Sequence, residues 1–306
     1  MGVPNLIEEF RSMSKWKPEE MTINAFCQNK EKNRYVDVPC QDQHRVIVQW
    51  AGLTSDYIHA NFVSTPKSTT RFICTQGPLE GTQHSFWAMI IQEKTESIIM
   101  LCNIVESGKI KCQQYWPYEN GEMMLFGKDE GEIKVTCMEI SPMSAIDSFV
   151  RVSKLKVDFK QNGENYNRYI LHYQWKNWPD RGVPPTRLTA LNLLSEVCGS
   201  SKPIVVHCSA GVGRTGTIVA IAYVQEKIQN GLTYVQEDCK GMNYLLRELR
   251  SQRPYLVQNE LQYLYVHFVL LAYFLDKSND AFFHCLDSGE KYTKWCDDYK
   301  KATGCE

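Results

Sequence analysis

The run His207-Cys208-Ser209-Ala210-Gly211-Val212-Gly213-Arg214-Thr215-Gly216 brings a thiol, a guanidinium, a hydroxyl and three glycines into ten consecutive residues. Cysteine attacks as its thiolate, and both a nearby arginine and a helix N-terminus depress a thiol pKa, so Cys208 is expected to be ionised at neutral pH. Arg214 follows after five intervening residues. Its planar fork can hold two oxygens of one oxyanion, a geometry lysine does not reproduce. The Thr215 hydroxyl can donate to the sulfur. These residue types together suit nucleophilic attack on a phosphate-like dianion, held by a cation and by backbone N–H groups.

For that chemistry the run must curl between two regular elements. Residues 203–206 are short, apolar and β-branched, which predicts a buried strand, and residues 215–228 carry apolar side chains at helical spacing before Gly231. The loop between them would aim N–H groups and the positive helix end at one point. Gly211 and Gly213 are expected to permit the tight curl. A cysteine taken alone is more often a small buried hydrophobe; the glycines, the arginine and the strand-to-helix setting argue otherwise for Cys208.

This run resembles the signature loop of the protein tyrosine phosphatases, His-Cys, five residues, Arg, then Ser or Thr, met by His207, Cys208, Arg214 and Thr215. The likeness is to the tyrosine-specific, cysteine-dependent catalytic domain, of the non-receptor kind. A bare Cys-x5-Arg is shared with dual-specificity and low-molecular-weight phosphatases and approximated in sulfurtransferases; the filling Ser-Ala-Gly-Val-Gly is more specific. The resemblance implies an α/β (α+β) fold with a highly twisted mixed β-sheet flanked by helices. It also implies that Ser209, Ala210, Gly211, Val212, Gly213 and Arg214 wrap the phosphate, with no cofactor and no metal.

Other motifs follow in family order. The segment 32–38 with Asp56-Tyr-Ile-His-Ala-Asn resembles the phosphotyrosine-recognition segment. A phenyl phosphate reaching a recessed thiolate needs an aromatic wall, and Tyr35 matches that position, while Asp37 matches the residue that accepts hydrogen bonds from a substrate backbone. Val36 stands where some members carry a basic residue. On the same resemblance Glu106 would pair with Arg214, and Lys111 would lean toward the general-acid loop. Expulsion of a phenolate-like oxygen is faster when a carboxylic acid protonates it, and in Asn177-Trp-Pro-Asp-Arg-Gly-Val-Pro the candidate acid is Asp180. Trp178 and Pro179 would stiffen that loop and Gly182 would give it a flexible point. Arg181 departs from the aromatic or histidine residue common after the aspartate. Gln258 and Gln262, four apart and so expected on one helical face, match the glutamines that position and shield the hydrolytic water. Asn259 replaces a frequent threonine, and Tyr255 is expected as a bulky residue near the rim.

At 306 residues the expectation is one catalytic domain, 23–275, preceded by capping helices over 1–22 and followed by a polar tail over 276–306. With 43% hydrophobic and 23% charged residues and a net charge of -1, composition suggests neither nucleic-acid nor membrane attraction. Twelve scattered cysteines, no leader pattern and no Asn-x-Ser/Thr sequon fit reduced thiols and a cytoplasmic location. The apolar run 264–275 is too short for a bilayer and contains His267, so it reads as a core helix. Residues 85–87 begin an expected amphipathic helix, 97–102 a buried strand, 118–147 hairpins and connections, 154–159 and 168–174 antiparallel strands, and 187–198 a helix. In the tail, His284, Cys285, Cys296 and Cys305 match no paired-ligand spacing for zinc, and a partly ordered helix or flexible tail is expected. The expected partners are phosphotyrosine-containing proteins or peptides, with a monomer favoured and the oligomeric state open. A binding-only pseudophosphatase and a dual-specificity or lipid phosphatase are the alternatives.

Overall fold

The computed structural model describes residues 1–229, 241–277 and 286–305. Its helices are α1 (Val3–Met13), α2 (Asn24–Gln28), α3 (Gln83–Gln92), α4 (Leu188–Val197), α5 (Gly213–Gln229), α6 (Met242–Arg250), α7 (Glu260–Lys277) and α8 (Leu286–Thr303). Its strands are β1 (Arg45–Ile47), β2 (Tyr57–Thr65), β3 (Ser68–Thr75), β4 (Ser97–Met100), β5 (Val105–Glu106), β6 (Lys109–Ile110), β7 (Met123–Phe126), β8 (Ile133–Pro142), β9 (Val150–Gln161), β10 (Glu164–Trp175) and β11 (Ile204–His207). Nine strands form one sheet in the order β1-β2-β3-β11-β4-β10-β9-β8-β7, and β5 and β6 form a separate small hairpin.

The sheet is mixed, as expected, and flanked by helices. Strand β11 runs parallel to β3 and β4, and β4 runs parallel to β10. The outer pairs are antiparallel, with β9 and β10 registered from Gln161 opposite Glu164 to Val150 opposite Trp175. Strands β4 and β11 are buried at every position, because they are covered on both faces and therefore read as continuous apolar runs. Burial of each large side chain there, such as Ile98, Ile99, Val205 or Val206, contributes about 1.5–3 kcal/mol before entropy is counted.

A shared strand direction has a direct consequence for the site. The carboxyl ends of β3, β4, β10 and β11, near Thr75, Met100, Trp175 and His207, lie along one edge. Loops leaving those four ends must meet, which is where ligands bind in sheets of this kind.

The structure also corrects several readings. Helix α3 is buried at every residue from Ser85 to Ile91 rather than amphipathic, and β7 and β8 are among the elements packed against it. Those two strands form an antiparallel hairpin in the segment expected to hold hairpins and connections, and they extend the main sheet. Their period was obscured by an irregularity between Cys137 and Glu139, after which β8 becomes exposed. The two glutamines do not share a helical face: Val257 and Tyr255 adopt positive φ (60° and 62°) in the turn after α6, so Gln258 precedes α7 and Gln262 lies in its first turn.

Both terminal segments pack on the same core. From α1, Phe10 contacts Tyr263 of α7 at 5.4 Å between ring centroids. From α8, Trp295 and Tyr299 stack on Phe268 at 6.2 and 4.3 Å, so much of the segment read as a polar tail is a packed helix. His284 and Cys285 lie outside the described residues.

Candidate active site

The loop joining β11 to α5 is shaped by one obligatory glycine. Gly211 has φ 70°, and a Cβ there would lie 2.0 Å from the Thr75 carbonyl oxygen, so no other residue fits. Gly213 does a different job from the curl expected of it. A Cβ at Gly213 would meet Gln258 Oε1 at 2.9 Å and Gln262 Nε2 at 3.0 Å, so its bareness admits the glutamines to the rim of the loop.

Cys208 sits at the floor of this loop and is only 4% exposed. Burial pushes the Cys40 thiol up to about 11 and the Cys74 thiol up to about 12. Cys208 goes the other way. Burial opposes its ionisation too, but the Arg214 charge and hydrogen bonds from Thr215 and Gly211 outweigh it and lower the pKa. The Gly211 N–H donates to Sγ at 3.3 Å.

Arg214 is almost fully buried, and its fork is fixed from behind. Nη1 donates to Glu106 Oε1 at 2.6 Å and to the Trp178 carbonyl at 3.1 Å, while Nη2 donates to Glu106 Oε2 at 2.8 Å. Desolvation works against its charge, and the Glu106 carboxylate more than compensates, so its pKa is raised. Trp178 anchors the next loop, its ring buried edge-on against Trp175 at 4.9 Å and Tyr265 at 5.6 Å. Two residues on, Asp180 is 35% exposed and reaches Lys111 Nζ at 2.7 Å and Arg214 Nη2 at 3.5 Å. Partial burial raises the Asp180 pKa, but the Lys111 hydrogen bond and the Arg214 charge prevail and lower it.

At the rim, Tyr35 Oη and Ser209 Oγ are 2.8 Å apart. Val36 is 89% exposed, and Asp37 is exposed beside it. Gln258 is exposed and donates its backbone N–H to Oε1 of buried Gln262 at 2.9 Å. Tyr255 is half-buried in the same turn. His207 lies behind the loop, with Nε2 2.7 Å from Tyr115 Oη, which is also 2.7 Å from His172 Nε2. These contacts bring Glu106, Trp178, Asp180 and Lys111 around Arg214 and the Cys208 loop, set Tyr35 against Ser209 and the two glutamines against Gly213, and leave His207 behind the loop.

Three supporting residues were missed. Arg34 docks the Tyr35 segment by donating its backbone N–H to Gln76 Oε1 (2.9 Å) and its guanidinium to the Gly77 and Pro78 carbonyls (3.0 and 2.7 Å). Arg253 is fully buried and donates to the Gly211 and Ala210 carbonyls at 2.7 and 3.1 Å, turning the N–H groups of the loop away from itself. Tyr115 braces His207. Their partners are backbone carbonyls or residues far off in sequence, which leave no local signal; the proximity of Arg253 to the glutamines was the one available hint. The groups facing the loop interior are N–H donors and a guanidinium, suited to an oxyanion rather than to a metal.

A family model described as protein-tyrosine phosphatase matches residues 29–272. Human receptor-type tyrosine-protein phosphatase zeta is 35% identical over 264 residues, which cover 83% of this chain and 11% of that protein. Tyrosine-protein phosphatase 99A of Drosophila melanogaster is 36% identical over 252 residues, covering 80% and 18% respectively. The crystal structure of the catalytic domain of human protein tyrosine phosphatase non-receptor type 18 superposes with a TM-score of 0.77 at 29% identity, covering 89% of this chain and 96% of that one.

The chain belongs to the protein-tyrosine phosphatase family. It spans 11% to 18% of the length of the two curated relatives named above. One of these is receptor-type and the solved neighbour is non-receptor, so the comparisons support the catalytic domain without assigning this chain to the non-receptor kind. Among the described residues, no helix is long and apolar enough to cross a membrane.

Proposed function

We propose that this chain hydrolyses phosphotyrosine in proteins or peptides through a cysteinyl-phosphate intermediate. The observation that carries the reading is the geometry of the loop, with buried Cys208 Sγ accepting from the Gly211 N–H beside an arginine whose fork Glu106 already orients. The Cys208 thiolate attacks phosphorus in line as the bond to the tyrosine oxygen breaks. Loop N–H groups and Arg214 hold the three remaining oxygens as charge redistributes. Asp180 gives its proton to the departing phenolic oxygen. In the second step Asp180 takes a proton from a water placed by Gln258 and shielded by Gln262, the water oxygen bonds to phosphorus, and Cys208 leaves as thiolate.

The proton on Asp180 follows from the electrostatics. In the free protein Lys111 and Arg214 favour its carboxylate. A bound phosphate dianion offsets those cations and returns the proton. Tyr35 forms the aromatic wall, and its bond to Ser209 ties the depth of the entrance to the loop itself. Asp37 accepts hydrogen bonds from the peptide backbone. A solved structure of the non-receptor type 18 enzyme is described as a complex with HER2 phosphopeptides, which supports a peptide as the substrate class here. A thiolate nucleophile works only when reduced, and this supports a cytoplasmic site of action.

The test is phosphate release by reduced, folded protein from matched phosphotyrosine and phosphoserine peptides. Release from the phosphotyrosine peptide alone is expected. Binding without release would make the chain a capture module, and equal efficiency on both would make it a dual-specificity enzyme.

A further inference from the structure

Two residues that depart from the family pattern, Arg181 and Asn259, are in contact. Asn259 Nδ2 donates to the Arg181 carbonyl at 2.7 Å, and Asn259 Oδ1 accepts from the Gln262 N–H at 3.0 Å. The Asn259 carbonyl accepts from the Tyr263 N–H at 3.1 Å, so this residue caps α7 while reaching into the acid loop. One planar amide therefore spans two loops that come from opposite ends of the site.

Its partner holds a backbone conformation that needs support. Arg181 has φ 59°, in the left-handed region that a side chain with a Cβ disfavours. Around it residues 178–182 close on themselves: the Gly182 N–H donates to the Pro179 carbonyl at 3.2 Å, and the Trp178 indole donates to the Gly182 carbonyl at 3.1 Å. Asp180 precedes Arg181 in that turn, and Gln258 precedes Asn259 in the other. A bond between the second members of the two pairs fixes the distance between the first members.

We propose that Asn259 is a positioning residue that latches the acid loop to the glutamine turn, holding Asp180 and Gln258 in one register. The proposal rests on the roles given to those two residues above. Asparagine suits the task because donor and acceptor sit on separate atoms of one rigid group. Serine keeps an oxygen for the helix cap but is one bond shorter. Aspartate keeps the length and the cap but has no N–H to give.

That difference supplies the experiment. In Asn259→Ser and Asn259→Asp, kcat/KM on phenyl phosphate, whose leaving group needs a proton, is expected to fall about five- to tenfold, the worth of one hydrogen bond. On 2,4-dinitrophenyl phosphate, whose leaving group needs none, the fall is expected to stay within about twofold. Amide hydrogen exchange at Gly182, read without any substrate, is expected to quicken by about five- to tenfold in both variants. Exchange and turnover unchanged in Asn259→Ser and Asn259→Asp, with a loss confined to Asn259→Ala, would reduce Asn259 to a helix cap and overturn the proposal. So would equal losses on both aryl phosphates. Faster exchange in variants of a wild-type protein that hydrolyses neither phosphate would sustain the latch and refute the activity assigned to the site.

Discussion

The loop carrying Cys208 and the loop carrying Asp180 face each other, yet they are held in opposite ways. The first is fastened along its backbone by buried groups: Arg253 takes the Ala210 and Gly211 carbonyls, the Gly77 N–H takes the Ser209 carbonyl at 2.9 Å, and the Val257 N–H takes the Val212 carbonyl at 2.9 Å. The second is anchored at its ends by buried Trp178 and Val183, while between them Asp180 and Arg181 are held only by polar side chains, notably Lys111, Arg214 and Asn259. Dipoles aimed at a developing charge act best when they need no rearrangement. A group that must first admit substrate and then protonate it needs few contacts to break. The difference in fastening therefore matches the difference in task.

The contrast can be broken most severely at the proposed nucleophile. Cys208→Ser is expected to lower turnover on the order of 10⁶-fold while leaving the anion cradle and peptide binding in place. Single-turnover phosphate release, alongside calorimetric binding of a phosphopeptide, measures both halves. Asp180→Ala strikes the lightly held loop instead. A loss of about 10²–10⁴-fold is expected with a tyrosine leaving group and much less with dinitrophenolate, which a leaving-group series would reveal. Equal loss across that series would remove Asp180 as the acid.

Glu106→Ala tests how the rigid side is braced. It leaves the Arg214 cation buried without its carboxylate, and a stability loss of about 3–5 kcal/mol is expected in urea denaturation. The gentlest change is Lys111→Met. Removing that cation relieves the depression of the Asp180 pKa, so the acid stays protonated to higher pH. The alkaline limb of the kcat/KM profile is then expected to move upward, with the limb set by the Cys208 thiolate unmoved.

How much of this was visible beforehand follows the same division. Between Pro203 and Ile228 each local signal agreed: an apolar β-branched run, glycines where the chain curls, then helical spacing. Strand β11, its loop and α5 could be read directly for that reason. Asp180 and Glu106 were legible only through family order, because a lone carboxylate in a loop has no distinguishing pattern. Arg34 and Arg253 escaped notice because they act on backbone carbonyls 42 to 44 residues away. Helix α3 was misjudged because part of its cover comes from β7 and β8, whose own period is interrupted. The glutamine pair was misjudged because Pro254 and the positive φ at Tyr255 and Val257 keep the chain after α6 out of helix, so that α7 begins only at Glu260, beyond Gln258.

Arg253 is a cation in the core that meets Asn61, His59 and two carbonyls but, among the described residues, no carboxylate. Its field thus reaches the anion site through protein, beyond the reach of mobile counterions. Charges in solvent are screened over about 8 Å at physiological ionic strength, and buried ones much less. Inorganic phosphate bound at the floor of the cradle should accordingly inhibit almost equally at low and high salt.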